Sequence, residues 1–188
     1  MNAPLRGRRR ANKILNTSKT AARKTINTTM TTGMLTADIV VTADCWRAEP
    51  GAEDIVQRAI GVAAGEAAAP IHAAELAIML TDDAGIRALN HDWRGIDKPT
   101  NVLSFPAIKL PGGGSQPGAL GDIAIAYETA RREAEAENKP FNHHLSHLAV
   151  HGFLHLIGYD HETDEDAEAM EQLERHILAR LGIPDPYA

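Results

Sequence analysis

Three histidines in the last third of the chain have the type and spacing of a metal site. His151 and His155 lie four residues apart, which places both imidazoles on one face of a helix. Such a pair presents two ring nitrogens to one ion. Gly158 can end this helix, because glycine tolerates the left-handed backbone conformation. The turn that follows can bring His161 back as a third ligand.

This ligand set favours a catalytic ion over a structural one. Three protein ligands leave the fourth position of a tetrahedral zinc open for water. Zinc lowers the pKa of that water to about 7, so hydroxide is available at neutral pH. We therefore predict one zinc ion per chain, bound by His151, His155 and His161, that activates water for hydrolysis.

The spacing from His151 to His161 also matches the motif of the metzincin peptidases, with one exception. In zincins the residue after the first histidine is the glutamate that serves as general base, and here it is Gly152. The ligands of a zinc peptidase are present without its base. A metzincin-like hydrolase or peptidase is therefore an alternative function.

Two polar residues beside the ligands have open roles. His147 lies one turn before His151 on the same helical face. We expect it to contact a ligand or the substrate, because three ligands are already present. Asp160 either orients a ligand imidazole or caps the turn before His161.

The apolar pattern predicts the elements that position this site. Alternating or continuous apolar runs predict four strands, and apolar residues at helical spacing predict five helices. A glycine-rich run at 112–118 predicts a flexible excursion. The fold class is α+β: one layered domain with a small, mixed four-stranded sheet, about five helices, and the metal site on a helix and its following turn. The predicted strands are 38–42, 75–80, 101–105 and 122–127, and the predicted helices are 52–65, 82–93, 128–138, 141–158 and 163–181.

Charge divides the chain into two parts. Eight of its 19 Lys and Arg residues precede the first acidic residue, Asp38, whereas the whole chain has 25 acidic residues and a net charge of −6. We expect residues 1–34 to be a basic, disordered arm and residues 35–188 to be a metal-dependent hydrolase domain. The arm could be a phosphate-binding tail, an organelle transit peptide, or residues upstream of the true start. No apolar run is long enough for a membrane span, and we expect a cytoplasmic protein.

Two long motifs resemble those of the YbeY family of metal-dependent endoribonucleases. The first is His151-Gly-Phe-Leu-His-Leu-Ile-Gly-Tyr-Asp-His161. The second is Asn90-His-Asp-Trp-Arg-Gly-Ile-Asp-Lys-Pro-Thr-Asn-Val-Leu-Ser-Phe-Pro106. The shorter segments 120–123 and 185–187 also fit, and the similarity covers about residues 36–188.

The resemblance implies a zinc-dependent endoribonuclease that prefers single strands. Its expected roles are ribosomal RNA maturation, at the 3′ end of 16S RNA, and ribosome quality control. Its expected partners are ribosomal RNA and ribosomal particles or proteins. The resemblance also implies the ligand set His151, His155 and His161 and a functionally important Arg94. A third hypothesis is a ribosome assembly factor that uses the metal for stability without catalysis.

The chemistry of Arg94 agrees with a role on phosphate. A guanidinium can bind a phosphate through two hydrogen bonds and stabilise the charge that builds up during phosphodiester cleavage. Lys98 could add a point charge, and Asp122 and Ser104 could line the same cleft or form strand-end hydrogen bonds. Other cations that could extend a positive cleft are Arg131, Arg132 and Lys139.

Overall fold

The computed structural model describes residues 23–30, 33–67, 74–107 and 118–188. The glycine-rich run at 112–117 lies outside these ranges. Within them, the strands are β1 (Arg23–Met30), β2 (Gly33–Val41), β3 (Ala74–Thr81), β4 (Val102–Pro106) and β5 (Ala119–Ala126). The α-helices are α1 (Ala52–Glu66), α2 (Asp83–Arg94), α3 (Tyr127–Ala136), α4 (Phe141–Leu156) and α5 (Asp164–Arg180), with a short 3-10 helix at Asp44–Ala48.

The strands form one mixed sheet in the order β1-β2-β3-β5-β4. Strand β3 is central and pairs in parallel with both β2 and β5, whereas the outer strands β1 and β4 pair antiparallel with their neighbours. Helix α1 connects β2 to its parallel neighbour β3, as a parallel pair requires. The α+β class, the mixed sheet and the five helices are confirmed.

Strand β1 corrects the expectation for the basic arm. It lies within residues 1–34 and pairs with β2 from Arg23 opposite Val40 to Met30 opposite Gly33. The structure places Arg23–Met30 in a strand, so the sheet has one strand more than the four predicted. Residues 1–22 lie outside the described ranges. The strand sequence RKTINTTM is rich in β-branched residues, which favour strands. It lacks the alternation of apolar and polar residues from which a strand is predicted.

Both faces of the sheet are covered by helices. On β3, Leu76, Ile78 and Leu80 belong to the main core with residues of α1, α4 and α5. Met79 points to the other face and packs with Ile86 of α2. The burial of β3 on both faces is as its apolar sequence predicts.

Helix α4 is the central helix of the main core and carries the histidines. Eleven of its 16 residues are buried, and it contacts α1, α5, β4 and β5. His147, His151 and His155 lie on its partly exposed strip. The core therefore fixes the backbone of the helix while one row of imidazoles faces the surface. No helix in the described ranges is both long and apolar enough to span a membrane.

Candidate metal centre

The end of α4 and the turn after it bring three histidines together. The helix ends at Leu156, and Gly158 has a positive φ of 100°. The amide of Tyr159 donates to the carbonyl of Leu154 at 3.0 Å, which closes the helix end. The chain then turns back and places His161 beside the two helical histidines. The prediction that Gly158 ends the helix is confirmed by this φ, which only glycine adopts readily.

The three imidazoles form a group that could hold one ion. The Nε2 atoms of His151 and His155 are 3.1 Å apart, and one nitrogen from each of the three rings lies within 4.8 Å of the others. The first two rings are half-buried and His161 is exposed. The group is therefore open to solvent on one side, which a large substrate requires.

The other nitrogen of each helical histidine is held by the protein. The Nδ1 of His151 lies 2.8 Å from Oε1 of Glu174, and the Nδ1 of His155 lies 3.0 Å from the carbonyl oxygen of Tyr159. Both acceptors favour the tautomer with the proton on Nδ1. A metal-binding histidine commonly donates its second N–H to a carboxylate or a carbonyl, which fixes the ring and raises its basicity.

This donor set fits a metal ion. With protons on both Nδ1 atoms, the two Nε2 atoms present lone pairs to each other and cannot hydrogen-bond. A shared cation removes this conflict, since two nitrogens on one tetrahedral zinc lie about 3.3 Å apart. Burial, followed by the charges of His151 and His161, lowers the pKa of His155. A lower pKa keeps the imidazole neutral, as ligation requires.

Glu174 is the residue that sequence analysis did not identify. It lies on α5, is fully buried, and accepts hydrogen bonds from His147, His151 and the hydroxyl of Tyr187. Burial alone raises the pKa of this carboxyl, but the three hydrogen bonds outweigh burial and lower the pKa to about 2. The sequence contains one indication of this role, because Glu174 lies at a position where the helical spacing of α5 predicts an apolar residue. The buried residues of this helix are Met170, Glu174, Ile177 and Leu178.

The structure assigns the two open roles beside the ligands. The Nε2 of His147 lies 3.1 Å from Oε2 of Glu174, so this imidazole contacts the carboxylate that holds His151. Asp160 accepts a hydrogen bond of 2.8 Å from the backbone amide of His161. Asp160 therefore caps the turn.

Gly152 packs against the sheet and not toward the metal-binding group. A Cβ atom at this position would lie 3.1 Å from both Ile123 Cγ2 and Ser104 Oγ. The hydroxyl of Ser104 donates to the carbonyl of Gly152 at 3.0 Å. A glutamate here would enter the contact between α4 and the sheet, so the position is closed to a zincin-type base.

Arg94 is the last residue of α2, and Gly95 ends the helix in a left-handed conformation with φ of 71°. The side chain of Arg94 is exposed, and in the described part of the chain it makes neither an ion pair nor a hydrogen bond. Lys98 is also exposed, and its side chain has no ion pair among the described residues. Two uncommitted cations thus lie close together in sequence.

The other predicted cleft residues have mostly structural partners. Ser104 reaches the backbone beside His151, as described above, and Asp122 is buried on β5. Each of the three further cations is paired with an acidic group, either nearby in the chain or on another element. The ion pairs are Arg131 with Glu49 and Glu135, Arg132 with Asp83, and Lys139 with Glu137.

Together, the fold and the site define an α+β domain with a surface-facing histidine group able to hold one metal ion. A model of the family described as Endoribonuclease YbeY matches residues 42–182. The chain belongs to the YbeY family, and the resemblance of its two motifs to this family is confirmed.

Proteins named Endoribonuclease YbeY are similar to this chain over most of its length. The protein from Nitrobacter hamburgensis is 70% identical over 154 residues, which cover 80% of this chain and 81% of the relative. The protein from Bradyrhizobium diazoefficiens is 66% identical over 154 residues, covering 80% and 84% of the two chains. A solution structure of a Thermotoga maritima protein aligns with a TM-score of 0.45 and 25% identity, over 69% of this chain and 82% of that one.

Proposed function

We propose that this protein is a zinc-dependent endoribonuclease that cleaves single-stranded regions of ribosomal RNA. The observation that carries the proposal is the convergence of the His151 and His155 Nε2 atoms, with His161 beside them, in a chain of the YbeY family. Relatives at 66–70% identity are named endoribonucleases, which supports the substrate class. The cellular roles follow from the family alone: maturation of the 16S RNA 3′ end and ribosome quality control in the cytoplasm, with ribosomal particles or proteins as partners.

His151, His155 and His161 would hold the zinc. When bound, zinc supplies a Lewis acid and an activated water at neutral pH. Glu174 and the Tyr159 carbonyl keep the protons of His151 and His155 on Nδ1, so both Nε2 atoms stay available. Because no glutamate base follows His151, the proton of the attacking group would pass to solvent or to the substrate's own groups.

Arg94 would bind the scissile phosphate. Its guanidinium can form two parallel hydrogen bonds to phosphate oxygens and stabilise the extra negative charge of the transition state. Arg94 is exposed and has no carboxylate partner among the described residues, so no ion pair has to break before it binds. Lys98 adds a second positive charge nearby in the chain and would attract the RNA backbone.

The proposal is tested by incubating the purified protein with a single-stranded RNA oligonucleotide, with and without a chelator. The variants are His151→Ala/His155→Ala and, as a matched control, His176→Ala, which removes an exposed histidine paired with Glu66 on another face. We expect cleavage by the wild type and the control, and none by the double variant or with chelator. Equal cleavage by the double variant would identify a contaminating nuclease and refute the proposal.

The alternatives give different results in the same experiment. Cleavage of casein instead of RNA would indicate a peptidase, which the packing of Gly152 against the sheet disfavours. A metal-loaded protein that cleaves neither substrate, and unfolds when the metal is removed, would indicate an assembly factor. The product termini identify the nucleophile: a cyclic phosphate indicates the RNA 2′-hydroxyl, and a plain monophosphate indicates water.

A further inference from the structure

We infer that Tyr187, at the carboxyl terminus, is a positioning residue for the metal centre. Its hydroxyl donates to Oε2 of Glu174, and the Oε1 of that carboxylate accepts from Nδ1 of His151. The tail is thus connected to a metal ligand through one buried carboxylate. The inference rests on the metal-binding part of the proposed function and is independent of RNA cleavage.

The two carboxylate oxygens of Glu174 have different hydrogen-bond partners. Oε1 holds the ligand His151, while Oε2 accepts from the Tyr187 hydroxyl and from Nε2 of His147. The side chain of Glu174 is only 1% exposed, so bulk water cannot readily replace a lost donor. Without the tyrosine hydroxyl, His147 alone would hold Oε2. The carboxylate could then rotate, and the hydrogen bond that fixes the His151 ring would weaken.

The tail is held in place by contacts that do not need the hydroxyl. The Nζ of Lys139 donates to the carbonyl oxygen of Pro186 at 2.7 Å. The guanidinium of Arg175 lies 4.9 Å from the centre of the Tyr187 ring and 3.5 Å from Oδ1 of Asp185. The backbone amide of Tyr187 also donates to Asp185 at 2.9 Å. A Tyr187→Phe variant therefore keeps the tail docked and removes only the contacts of the hydroxyl, which are those with Oε2 of Glu174 and, at 3.4 Å, with Nε2 of His147.

These separate contacts distinguish positioning from simple anchoring. If Tyr187 only anchored the tail, loss of its hydroxyl would leave His151 unchanged. If it positions Glu174, the proton of the His151 ring becomes less firmly fixed on Nδ1, and the Nε2 atom becomes a poorer ligand. The change in the position of the His151 proton can be measured without a metal. The weaker Nε2 ligand would be measured as a lower metal affinity.

The affinity test measures Zn²⁺ binding by competition with a chromogenic chelator at a temperature where every metal-free variant is folded by circular dichroism. Loss of a partner in the layer behind a ligand typically costs about 10–100-fold in affinity, which we expect for Glu174→Gln. Tyr187→Phe, one bond further from the metal, should lose about 3–10-fold. The matched control is Tyr127→Phe, because Tyr127 packs against Trp46 and Phe141 in the core, and its affinity should not change.

The second readout is the nitrogen NMR spectrum of the imidazoles in the metal-free protein. We expect the Nδ1–H tautomer at His151 in the wild type and in Tyr127→Phe, and a mixture of tautomers in Tyr187→Phe. An unchanged tautomer in Tyr187→Phe would overturn the inference, whether or not the affinity falls. If the wild type binds no Zn²⁺, the proposed metal site fails, while the tautomer comparison still decides the role of Tyr187.

Discussion

The histidines of helix α4 fall into two halves whose protein contacts use opposite ring nitrogens. In the amino-terminal half, carboxylates engage Nε2: that of His144 lies 2.9 Å from Glu133, and that of His147 lies 3.1 Å from Glu174. In the carboxyl-terminal half, the protein engages Nδ1 of His151 and His155, and their Nε2 atoms face each other. Neighbouring histidines of one helix therefore differ in which ring nitrogen the protein leaves available to a metal ion.

Glu174 links the two halves. One of its oxygens contacts His147 in the first half, and the other contacts His151 in the second. The first half therefore contributes to the metal centre indirectly, by holding the carboxylate that orients a ligand. Substitutions in the two halves should therefore have different effects.

A substitution where the carboxyl-terminal half of α4 packs against the sheet should cause the largest loss of stability. Gly152→Glu should lower the free energy of unfolding by about 3–5 kcal/mol, because it forces a charged side chain between α4 and the sheet. Asn142→Glu is the matched control, since it adds the same carboxylate to an exposed position in the first turn of α4. Urea unfolding measures both. A Gly152→Glu protein as stable as this control would contradict the packing described for Gly152.

Removal of Arg94 should impair RNA cleavage without affecting the histidines. We expect Arg94→Ala to lower kcat/KM for RNA by about 10²–10³, the usual loss when one group that stabilises transition-state charge is removed. Zinc content should stay at the wild-type level. Arg58→Ala, which removes an exposed arginine from α1, should cleave normally. Loss of zinc in Arg94→Ala would show that the residue supports the metal site and does not act on phosphate.

Zinc should stabilise only proteins in which the carboxyl-terminal half is intact. At a free zinc concentration 100 times its Kd, the wild type should gain about 2.7 kcal/mol in the free energy of unfolding. The control is His143→Ala, which removes a half-buried histidine from the first turn of α4 and should gain the same. His151→Ala/His155→Ala should gain nothing. Thermal unfolding with and without zinc measures these values. Stabilisation of the double variant would place the ion elsewhere.

A substitution beside the amino-terminal half of α4 should cause the smallest loss of stability, and this loss should depend on pH. Burial raises the pKa of Glu133, but hydrogen bonds from His144 and Asn101 outweigh it, and the net pKa lies below its usual value of 4.5. A lowered pKa in the folded state gives stability above the unfolded pKa, which is lost as the pH falls through the folded value. Glu133→Gln should remove this part of the pH dependence and about 0.5–1 kcal/mol at pH 7, since 34% of the side chain is exposed.

That prediction is checked by urea unfolding between pH 2 and pH 7, with zinc content measured in parallel. Zinc binding at pH 7 should be unchanged, because Glu133 contacts none of the three ligands among the described residues. A variant with the same acid dependence as the wild type would show that this carboxyl contributes no pH-dependent stability.

The convergence of the three histidines and most of the fold were predictable because their causes are local in sequence. Histidines four residues apart share a helical face, a glycine ends the helix, and the apolar runs identify β2–β5. Glu174 was missed because its partners come from α4 and the tail, 23 and 13 residues away. Strand β1 was missed because its evidence is pairing with β2, not periodicity. The ion pairs of Arg131 with Glu49 and of Arg132 with Asp83 could not be predicted, because these partners lie far away in the sequence.

Elemental analysis of protein purified without a metal-affinity tag would show directly whether His151 and His155 hold zinc. The wild type and His143→Ala should each contain about one zinc per chain, and His151→Ala/His155→Ala should contain none while keeping the wild-type circular dichroism spectrum. The same preparations are then assayed on single-stranded RNA, where cleavage should follow zinc content. A folded double variant that retains the wild-type zinc content, or cleaves RNA equally well, would contradict the account.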